Sequence, residues 1–137
     1  MFLGGWLSFT GEMGKGGWNR TRLREILPVT CLDYEDLIES TEGYTAQPTD
    51  NGHLAFDKLN FTTFPPILGY NQVLPRDECP VLLTVKETDH PLVAAGSFGQ
   101  GRVLAYMSDP APHWGCNFVF WDQYSDFWVK TVEFLLS

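Results

Sequence analysis

The sequence predicts an α/β protein in which a mixed β-sheet is covered by a C-terminal helix. Three short apolar runs follow one another at intervals of about ten residues, a spacing typical of neighbouring strands in a meander. They are Val81–Val85, Leu92–Ala95 and Arg102–Met107. Beyond them the apolar residues recur every three or four positions, which indicates an amphipathic helix. This change of period favours a mixed fold over an all-β sandwich.

The first half of the chain predicts fewer regular elements. A strand is predicted over Phe2–Phe9, although it contains a pair of glycines. A short helix over Thr21–Leu27 is expected to end before Pro28, because a proline disfavours helical backbone in the residue that precedes it. Residues 39–66 are rich in Thr, Asn, Gly and Pro and show little periodicity, so an extended excursion is predicted there.

The C-terminal helix is predicted over Asp122–Leu136, with an uncertainty of about two to four residues at each end. Its apolar stripe consists of Phe120, Tyr124, Phe127, Trp128, Val132 and Leu135. We expect this stripe to pack on one face of the sheet as core, because aromatic residues at helical spacing are typical of a buried helix face.

Length and charge restrict the organisation and the partners of the chain. Its 137 residues and 44% hydrophobic content predict one domain with a sizeable core. The formal charge of −8 is spread along the chain, so nucleic acid and anionic membranes are not expected partners. No apolar run reaches the roughly 18 residues of a membrane span, and the start lacks a secretion signal. We therefore predict a cytoplasmic protein.

The cysteines and histidines do not predict a cofactor or a metal site. Cys31, Cys79 and Cys116 are odd in number and unrelated in spacing, so reduced thiols are expected rather than a disulfide framework or a zinc knuckle. No pair among the histidines and cysteines has the spacing of a metal-binding motif. Phosphate-binding and dinucleotide-binding glycine motifs are also missing from the sequence.

The loop after the strand Arg102–Met107 is the strongest candidate for a functional site. It runs from Ser108 to Gly115 and brings a carboxylate, an imidazole and an indole close together, from Asp109, His113 and Trp114. Ligands and catalytic groups collect in loops at the carboxyl ends of strands in α/β sheets. A packed corner, with the indole buried and the carboxylate capping a turn, would explain the same residues without a function.

Five segments of the chain follow a known sequence pattern: Leu3–Phe9, Ile26–Val29, Leu68–Asn71, Gly101–Ala105 and Ser108–Gly115. In this order they resemble cytoplasmic proteins of the class I glutamine amidotransferase-like superfamily, which is related to trehalose-utilisation-type domains. The resemblance implies a flavodoxin-like fold, of which this chain corresponds to the C-terminal half and lacks the N-terminal half. Exposed strand edges would then favour self-association or binding of a complementary N-terminal half.

The resemblance also suggests glutaminase chemistry, which the residues do not support. Class I amidotransferases use a cysteine at a strand-to-helix elbow, activated by a histidine that a carboxylate orients. The matching position, Gly4–Ser8, holds no cysteine. Gly115 stands two residues after His113, where the family has a glutamate. Glutaminase activity is therefore not expected, and Ser8 and Cys116 are the alternative nucleophiles.

A non-catalytic binding function is the first of two functions that the sequence leaves open. The loop would bind a small ligand, such as a sugar or another metabolite, or a partner protein. The rings of Trp114 and Tyr70 suit the face of a sugar, and Asn71 supplies directional hydrogen bonds. Gly5 and Ser8 complete this predicted ligand surface.

The alternative function is that of a hydrolase or an amidase. In it His113 acts as the general base and Asp109 is the carboxylate that orients the imidazole. The missing elbow cysteine favours the binding function over this alternative. The sequence predicts neither a substrate nor a reaction.

Overall fold

A computed structural model describes all 137 residues. In chain order its strands and helices are β1 (Phe2–Leu3), α1 (Leu23–Ile26), β2 (Val29–Cys31), β3 (Leu37–Tyr44), β4 (Ala46–Pro48), α2 (His53–Phe56), β5 (Ile67–Asn71), β6 (Val73–Pro75), β7 (Val81–Val85), β8 (Pro91–Phe98), β9 (Gly101–Tyr106) and α3 (Tyr124–Leu136). Single 3₁₀ turns lie at Glu12–Gly14, Trp18–Arg20, Phe61–Thr63 and Phe118–Phe120.

The centre of the molecule is a five-stranded sheet with the order β1-β9-β8-β7-β4. Strand β1 runs parallel to β9, whereas all other neighbours in this sheet are antiparallel. Two further antiparallel pairs, β2 with β6 and β3 with β5, lie outside it. The predicted mixed α/β class and the meander of β7, β8 and β9 are confirmed.

Both predicted helices are present close to their predicted positions. Helix α1 lies inside the predicted range 21–27 and ends before Pro28. Helix α3 begins two residues after the predicted start and ends at the predicted residue, Leu136. None of the helices combines the length and the apolar character that a membrane crossing requires.

The predicted strand Phe2–Phe9 is wrong beyond Leu3. The backbone N–H of Ser8 donates to Gly5 O at 3.1 Å, and Phe9 has a φ of 53°, so the chain turns away from the sheet. Gly4 passes so close to the end of β9 that a Cβ there would lie 2.5 Å from Met107 O. The apolar pattern continues through the turn, but the two glycines allow the backbone to leave the strand.

The predicted excursion over residues 39–66 contains more regular structure than its sequence suggested. Most of β3 and all of β4 and α2 lie in it. Strand β4 pairs antiparallel with β7 and forms one edge of the central sheet. Strands β3 and β4 are both polar and each pairs with one neighbour only, so one side of the backbone stays unpaired and the apolar alternation is weak.

Side chains alternate along β9 and contribute to cores on both faces of the sheet. Leu104 and Tyr106 pack into the larger core, which lies under α3, whereas Ala105 and Met107 pack into the smaller one. This alternation is the two-residue period of a strand. Because both faces are covered, the backbone of β9 is held firmly at the point where the candidate loop begins.

The apolar stripe predicted for the C-terminal helix is only partly core. Phe127, on the face of α3 that packs against the core, is fully buried, as expected. Phe120, however, precedes the helix in a 3₁₀ turn and is 86% exposed, and Val132 is 46% exposed. The apolar periodicity extends beyond the residues that contact the sheet, so part of the predicted stripe is exposed to solvent.

Candidate functional site

Two loops meet at the edge of the sheet where β1 and β9 end. Because these strands are parallel, the turn after β1 and the loop after β9 leave from the same side. A Cβ on Gly5 would lie 2.9 Å from Asp109 Oδ1 and 3.6 Å from Ser8 Oγ. The turn after β1 and the predicted loop Ser108–Gly115 are therefore brought together, and Gly5 leaves room for the carboxylate. We call the surface formed by Trp6, Ser8, Glu39, Asp109 and His113 the edge site.

Asn71, at the end of β5, holds the turn of the edge site from below. Its Oδ1 accepts the backbone N–H of Gly5 at 2.9 Å, and its Nδ2 donates to Gly5 O at 3.0 Å. The same Nδ2 donates to Asp36 Oδ1 at 2.9 Å. Asn71 is 0% exposed. Because the buried amide of Asn71 bonds both the backbone N–H and the backbone C=O of Gly5, it fixes the path of the chain at Gly5.

Asp36 continues this hydrogen-bond network to the next part of the turn. Its Oδ2 accepts the N–H of Thr10 at 3.0 Å, and its Oδ1 accepts the N–H of Gly11 at 3.1 Å. Burial raises the pKa of this carboxyl, while the hydrogen bonds from Asn71 and the backbone act in the opposite direction. Asp36 and Asn71 together preorganise the segment from Gly5 to Gly11.

An aromatic pair forms the exposed part of the edge site. The ring centroids of Trp6 and His113 lie 5.4 Å apart at an interplanar angle of 45°. Trp6 is 49% exposed, and His113 is also exposed. The indole N–H of Trp6 donates to Glu39 Oε1 at 2.9 Å, and the indole N–H of Trp114 donates to the same oxygen at 2.7 Å. Glu39 therefore fixes the orientation of the exposed indole.

Asp109 is oriented by the backbone of its own loop. Its Oδ2 accepts the N–H of Trp114 at 3.1 Å. Burial raises the pKa of Asp109, whereas this hydrogen bond and the nearby His113 act in the opposite direction. Asp109 and His113 share no hydrogen bond, and none joins His113 to Ser8. The chain of contacts that activates a hydroxyl nucleophile is therefore not formed.

Three residues predicted to bind a ligand are covered by the protein itself. Trp114, Tyr70 and Asn71 are each 0% exposed. The Tyr70 hydroxyl makes hydrogen bonds to Thr88 Oγ1 at 3.0 Å and His90 Nδ1 at 2.9 Å. Because Tyr70 and Asn71 are consecutive in β5, their side chains point to opposite faces and cannot contact one ligand. Of the predicted set, Ser8, Asp109 and His113 form part of the edge site, and Gly5 lies buried beside Asp109.

The thiols lie away from the turn that corresponds to the catalytic elbow. All three cysteines are free and half-buried. Burial, and secondarily the charge of Asp36, raises the pKa of Cys31 to about 11, so this thiol is a weak nucleophile at neutral pH. Cys79 lines a cavity elsewhere, and Cys116 follows the candidate loop.

Sequence reasoning missed three residues that build the edge site: Trp6, Asp36 and Glu39. Trp6 directly follows the glycine pair, and an exposed tryptophan beside a tight turn is a usable signal. Asp36 and Glu39 gave no such signal, because their roles depend on tertiary contacts with the turn and with Trp114.

The edge site is an open surface. Trp6, Glu39 and His113 are all exposed, and five cavities of about 230 to 440 Å³ elsewhere in the molecule are lined by other residues. No group of three or more His, Cys, Asp or Glu side chains is arranged to hold a metal ion. The residues present supply aromatic faces, carboxylate oxygens and a hydroxyl.

The sequence pattern of a family spans this whole arrangement. A family profile described as "Putative glutamine amidotransferase" matches residues 1–137. The chain belongs to this glutamine amidotransferase-like family. The match confirms the resemblance noted from the sequence. Among curated proteins, none matches the chain.

Two solved structures are similar to this glutamine amidotransferase-like chain. "Cytoplasmic Protein STM3548 from Salmonella typhimurium" is 39% identical, with a TM-score of 0.90 over 97% of this chain. "Cytoplasmic Protein STM1381 from Salmonella typhimurium LT2" is 34% identical, also with a TM-score of 0.90 over 97% of the chain. In both cases 53% of the neighbour is covered, so this chain spans about half the length of those proteins.

Proposed function

We propose that this chain is a non-catalytic glutamine amidotransferase-like domain that binds a small polyhydroxylated molecule, such as a sugar, at the edge site. One observation carries the proposal. The half-exposed indole of Trp6 lies beside the ring of His113, at 5.4 Å between centroids, and Glu39 holds its N–H. An aromatic face fixed in orientation is a suitable platform for the apolar face of a sugar ring.

Polar groups beside this aromatic platform have atoms that make no hydrogen bond within the protein. Glu39 Oε2 and Asp109 Oδ1 accept no hydrogen bond from the protein, and Ser8 Oγ makes none. Carboxylate oxygens accept hydrogen bonds from hydroxyl groups, as a polyhydroxylated ligand requires. Because the surface is open, we expect dissociation constants in the millimolar range, where a few hydrogen bonds and one stacked ring suffice.

Titration with glucose and maltose, followed by the indole N–H signals in NMR spectra, tests this proposal. Saturable shifts of the Trp6 signal are expected, and Trp6→Ala should abolish binding as observed through neighbouring amides. Phe98→Ala is the matched control, because Phe98 is 51% exposed at the end of β8, where it pairs with the start of β9, whereas the edge site lies beyond the other end of β9. Absence of saturable shifts, or an equal loss in the control, would contradict sugar binding.

His113→Ala separates a binding role of the loop from a packing role. Because His113 is exposed, its removal should change the free energy of unfolding by less than about 1 kcal/mol while weakening ligand binding. A loss of several kcal/mol without any change in binding would identify the loop as a structural corner.

The hydrolase alternative has less support from the geometry. His113 and Asp109 share no hydrogen bond, and the turn carries no thiol. We therefore expect no glutamine-dependent release of ammonia above a buffer blank. Release that a thiol-alkylating reagent abolishes would contradict this expectation, and release that survives alkylation but is lost in Ser8→Ala would identify a serine nucleophile.

A second candidate function is the binding of another polypeptide along the outer strand β1 of the central sheet, beside the edge site. It is favoured by two exposed apolar side chains, Trp6 at 49% and Leu7 at 60%, next to the edge strand β1. The solved neighbours are about twice as long as this chain. We propose that the occupant is a segment equivalent to their remaining part, which would extend the sheet beyond β1.

Sedimentation and light scattering test whether the chain binds such a complementary polypeptide. Alone, the chain is expected to self-associate or to bind a hydrophobic dye, and co-expression with the complementary segment of the STM3548 protein should give one defined complex. A monodisperse monomer with one cooperative thermal transition and no dye binding would exclude it. We also propose a cytoplasmic location, because both solved neighbours are named cytoplasmic proteins.

A further inference from the structure

A cavity of about 320 Å³ lies far along the sheet from the edge site. It is enclosed by the end of α1, the loop between β6 and β7, strands β8 and β9, and the end of α3. Four of its lining residues carry charge: Arg76, Arg102, Glu25 and Glu78. Neither function proposed above uses this cavity.

Arg76 presents one free edge of its guanidinium group. Its Nη1 donates to Leu27 O at 2.7 Å and to Arg24 O at 3.4 Å, both at the end of α1. Its Nε and Nη2 have no acceptor within the protein. The side chain is half-buried, so the free edge is held in a defined position.

Arg102 repeats this arrangement at the end of α3. Its Nη1 donates to Phe134 O at 3.1 Å and to Ser137 Oγ at 2.6 Å. Its Cζ lies 5.1 Å from the centroid of the Phe134 ring, which adds a cation–π contact. Its Nε and Nη2 also lack a protein acceptor. Two guanidinium groups, each anchored through Nη1 and with unused donors, therefore line one cavity, although Arg76 is half-buried and Arg102 is exposed.

Neither carboxylate of the cavity forms an ion pair with these arginines. Glu25 forms the one ion pair of the chain, with Arg22, at 3.9 Å between Oε2 and Nη2. Glu78 is exposed and forms none. Neither guanidinium group therefore has a carboxylate in ion-pair contact, although the chain as a whole carries −8.

We propose that this cavity binds a small metabolite that carries an oxyanion, either a phosphate or a carboxylate. The planar fork of a guanidinium group donates two parallel hydrogen bonds to such a group, which makes arginine the preferred residue for this recognition. Glu78 accepts a hydrogen bond from a hydroxyl or ammonium group of the same ligand. The volume of the cavity is about 320 Å³, at the lower end of the roughly 300–1,000 Å³ typical of small-molecule sites.

NMR titration of the full chain with inorganic phosphate and, separately, with succinate tests the proposal at constant ionic strength. Saturable shifts of the Gly96 and Ser97 amides are expected with one or both probes. Saturation by phosphate alone identifies a phosphate-bearing ligand, and saturation by succinate alone a carboxylate. Saturation by both supports a general oxyanion site, and saturation by neither overturns the proposal.

Three variants separate the cavity from general surface charge. Arg102→Gln removes the free guanidinium edge and should weaken binding at least about tenfold. Lys15→Gln is the control, because Lys15 is exposed, lies outside the cavity lining and forms no ion pair with a cavity carboxylate. An equal loss in both variants would overturn the proposal. Ser97→Glu places a negative charge in the lining without removing a hydrogen bond, and unchanged binding in that variant would overturn it too.

Discussion

Two buried regions of this molecule are held together by different forces. Under α3, aromatic rings pack against one another: Phe127 stacks on Phe56 at 4.8 Å and meets Phe118 edge-on at 5.4 Å. Beneath the edge site, Asp36 and Asn71 hold the turn through hydrogen bonds of 2.9 to 3.1 Å. The first region is specified by volume and the second by donor and acceptor positions.

This difference determines which substitutions each region tolerates. Apolar packing has no fixed direction, so neighbours repack when shape changes and volume is kept. A hydrogen-bond network fails when one group changes its chemistry, because the partners are left buried and unsatisfied. We expect the aromatic core to respond to the size of a substitution and the edge site to respond to its polarity.

Truncation in the aromatic core should have the largest effect. Phe127 is fully buried, so Phe127→Ala is expected to lower the free energy of unfolding by about 3–5 kcal/mol. Phe127→Leu, which keeps most of the volume, should cost about 1.5 kcal/mol. Urea denaturation monitored by circular dichroism measures both. Equal losses would show that this core depends on ring geometry rather than on volume.

A methyl group at Gly4 should have the next largest effect. Its Cβ would lie 2.5 Å from Met107 O and 2.7 Å from Ser108 N, which are backbone atoms that cannot rotate away. We expect Gly4→Ala to cost about 3 kcal/mol. Gly101→Ala is the control, because its nearest neighbour, Phe98 O, would be 3.6 Å away. If both variants were equally stable in thermal denaturation, the tight contact between the turn and β9 would be refuted.

An isosteric change in the hydrogen-bond network tests the contrast most directly. In Asp36→Asn an amide N–H₂ replaces an acceptor that faces backbone donors, so a loss of about 1–3 kcal/mol is expected despite unchanged volume. Asp33→Asn is the matched control, since Asp33 is exposed and makes no side-chain hydrogen bond. A cost for Asp36→Asn no greater than that of the control would remove the distinction between the two regions.

The smallest effect is expected from the pH dependence of Asp109. Burial raises its folded-state pKa above the ordinary value of 3.8, so its contribution to stability is fully present below that value and is lost as pH rises through the folded pKa. Relative to Asp109→Asn, the wild-type chain should lose stability over this acidic interval and show a constant difference above it. Denaturation midpoints at several pH values measure this difference, and a difference of opposite sign would contradict the burial of the carboxylate.

The sequence was informative where structure depends on local pattern. The strands β7, β8 and β9 and helix α3 each show their own periodicity, so they could be predicted within a few residues. The loop of Asp109 and His113 was predicted for the same reason, since it follows the clearest strand. The early turn was mispredicted because its apolar residues continue a strand-like pattern past two glycines.

The network beneath the edge site depends on pairs that are distant in the chain. Asn71 bonds to Gly5 across 66 positions and to Asp36 across 35. No local pattern encodes such a pairing, and a buried Asp or Asn has the same sequence appearance as an exposed one. The roles of Trp6 and Glu39 were hidden for this reason, although both residues are visible in the sequence.

The oxygen of Glu39 that two indoles share makes the buried indole a spectroscopic reporter of the edge site. Oε1 accepts one indole N–H from Trp6, at the surface, and another from Trp114, which is screened from solvent. A ligand hydroxyl that donates to the free Oε2 weakens Oε1 as an acceptor, so the hydrogen bond of the buried indole weakens and its proton resonance moves upfield. The Trp114 signal therefore records occupancy of the surface without touching the occupant, and it can be read before any ligand has been identified.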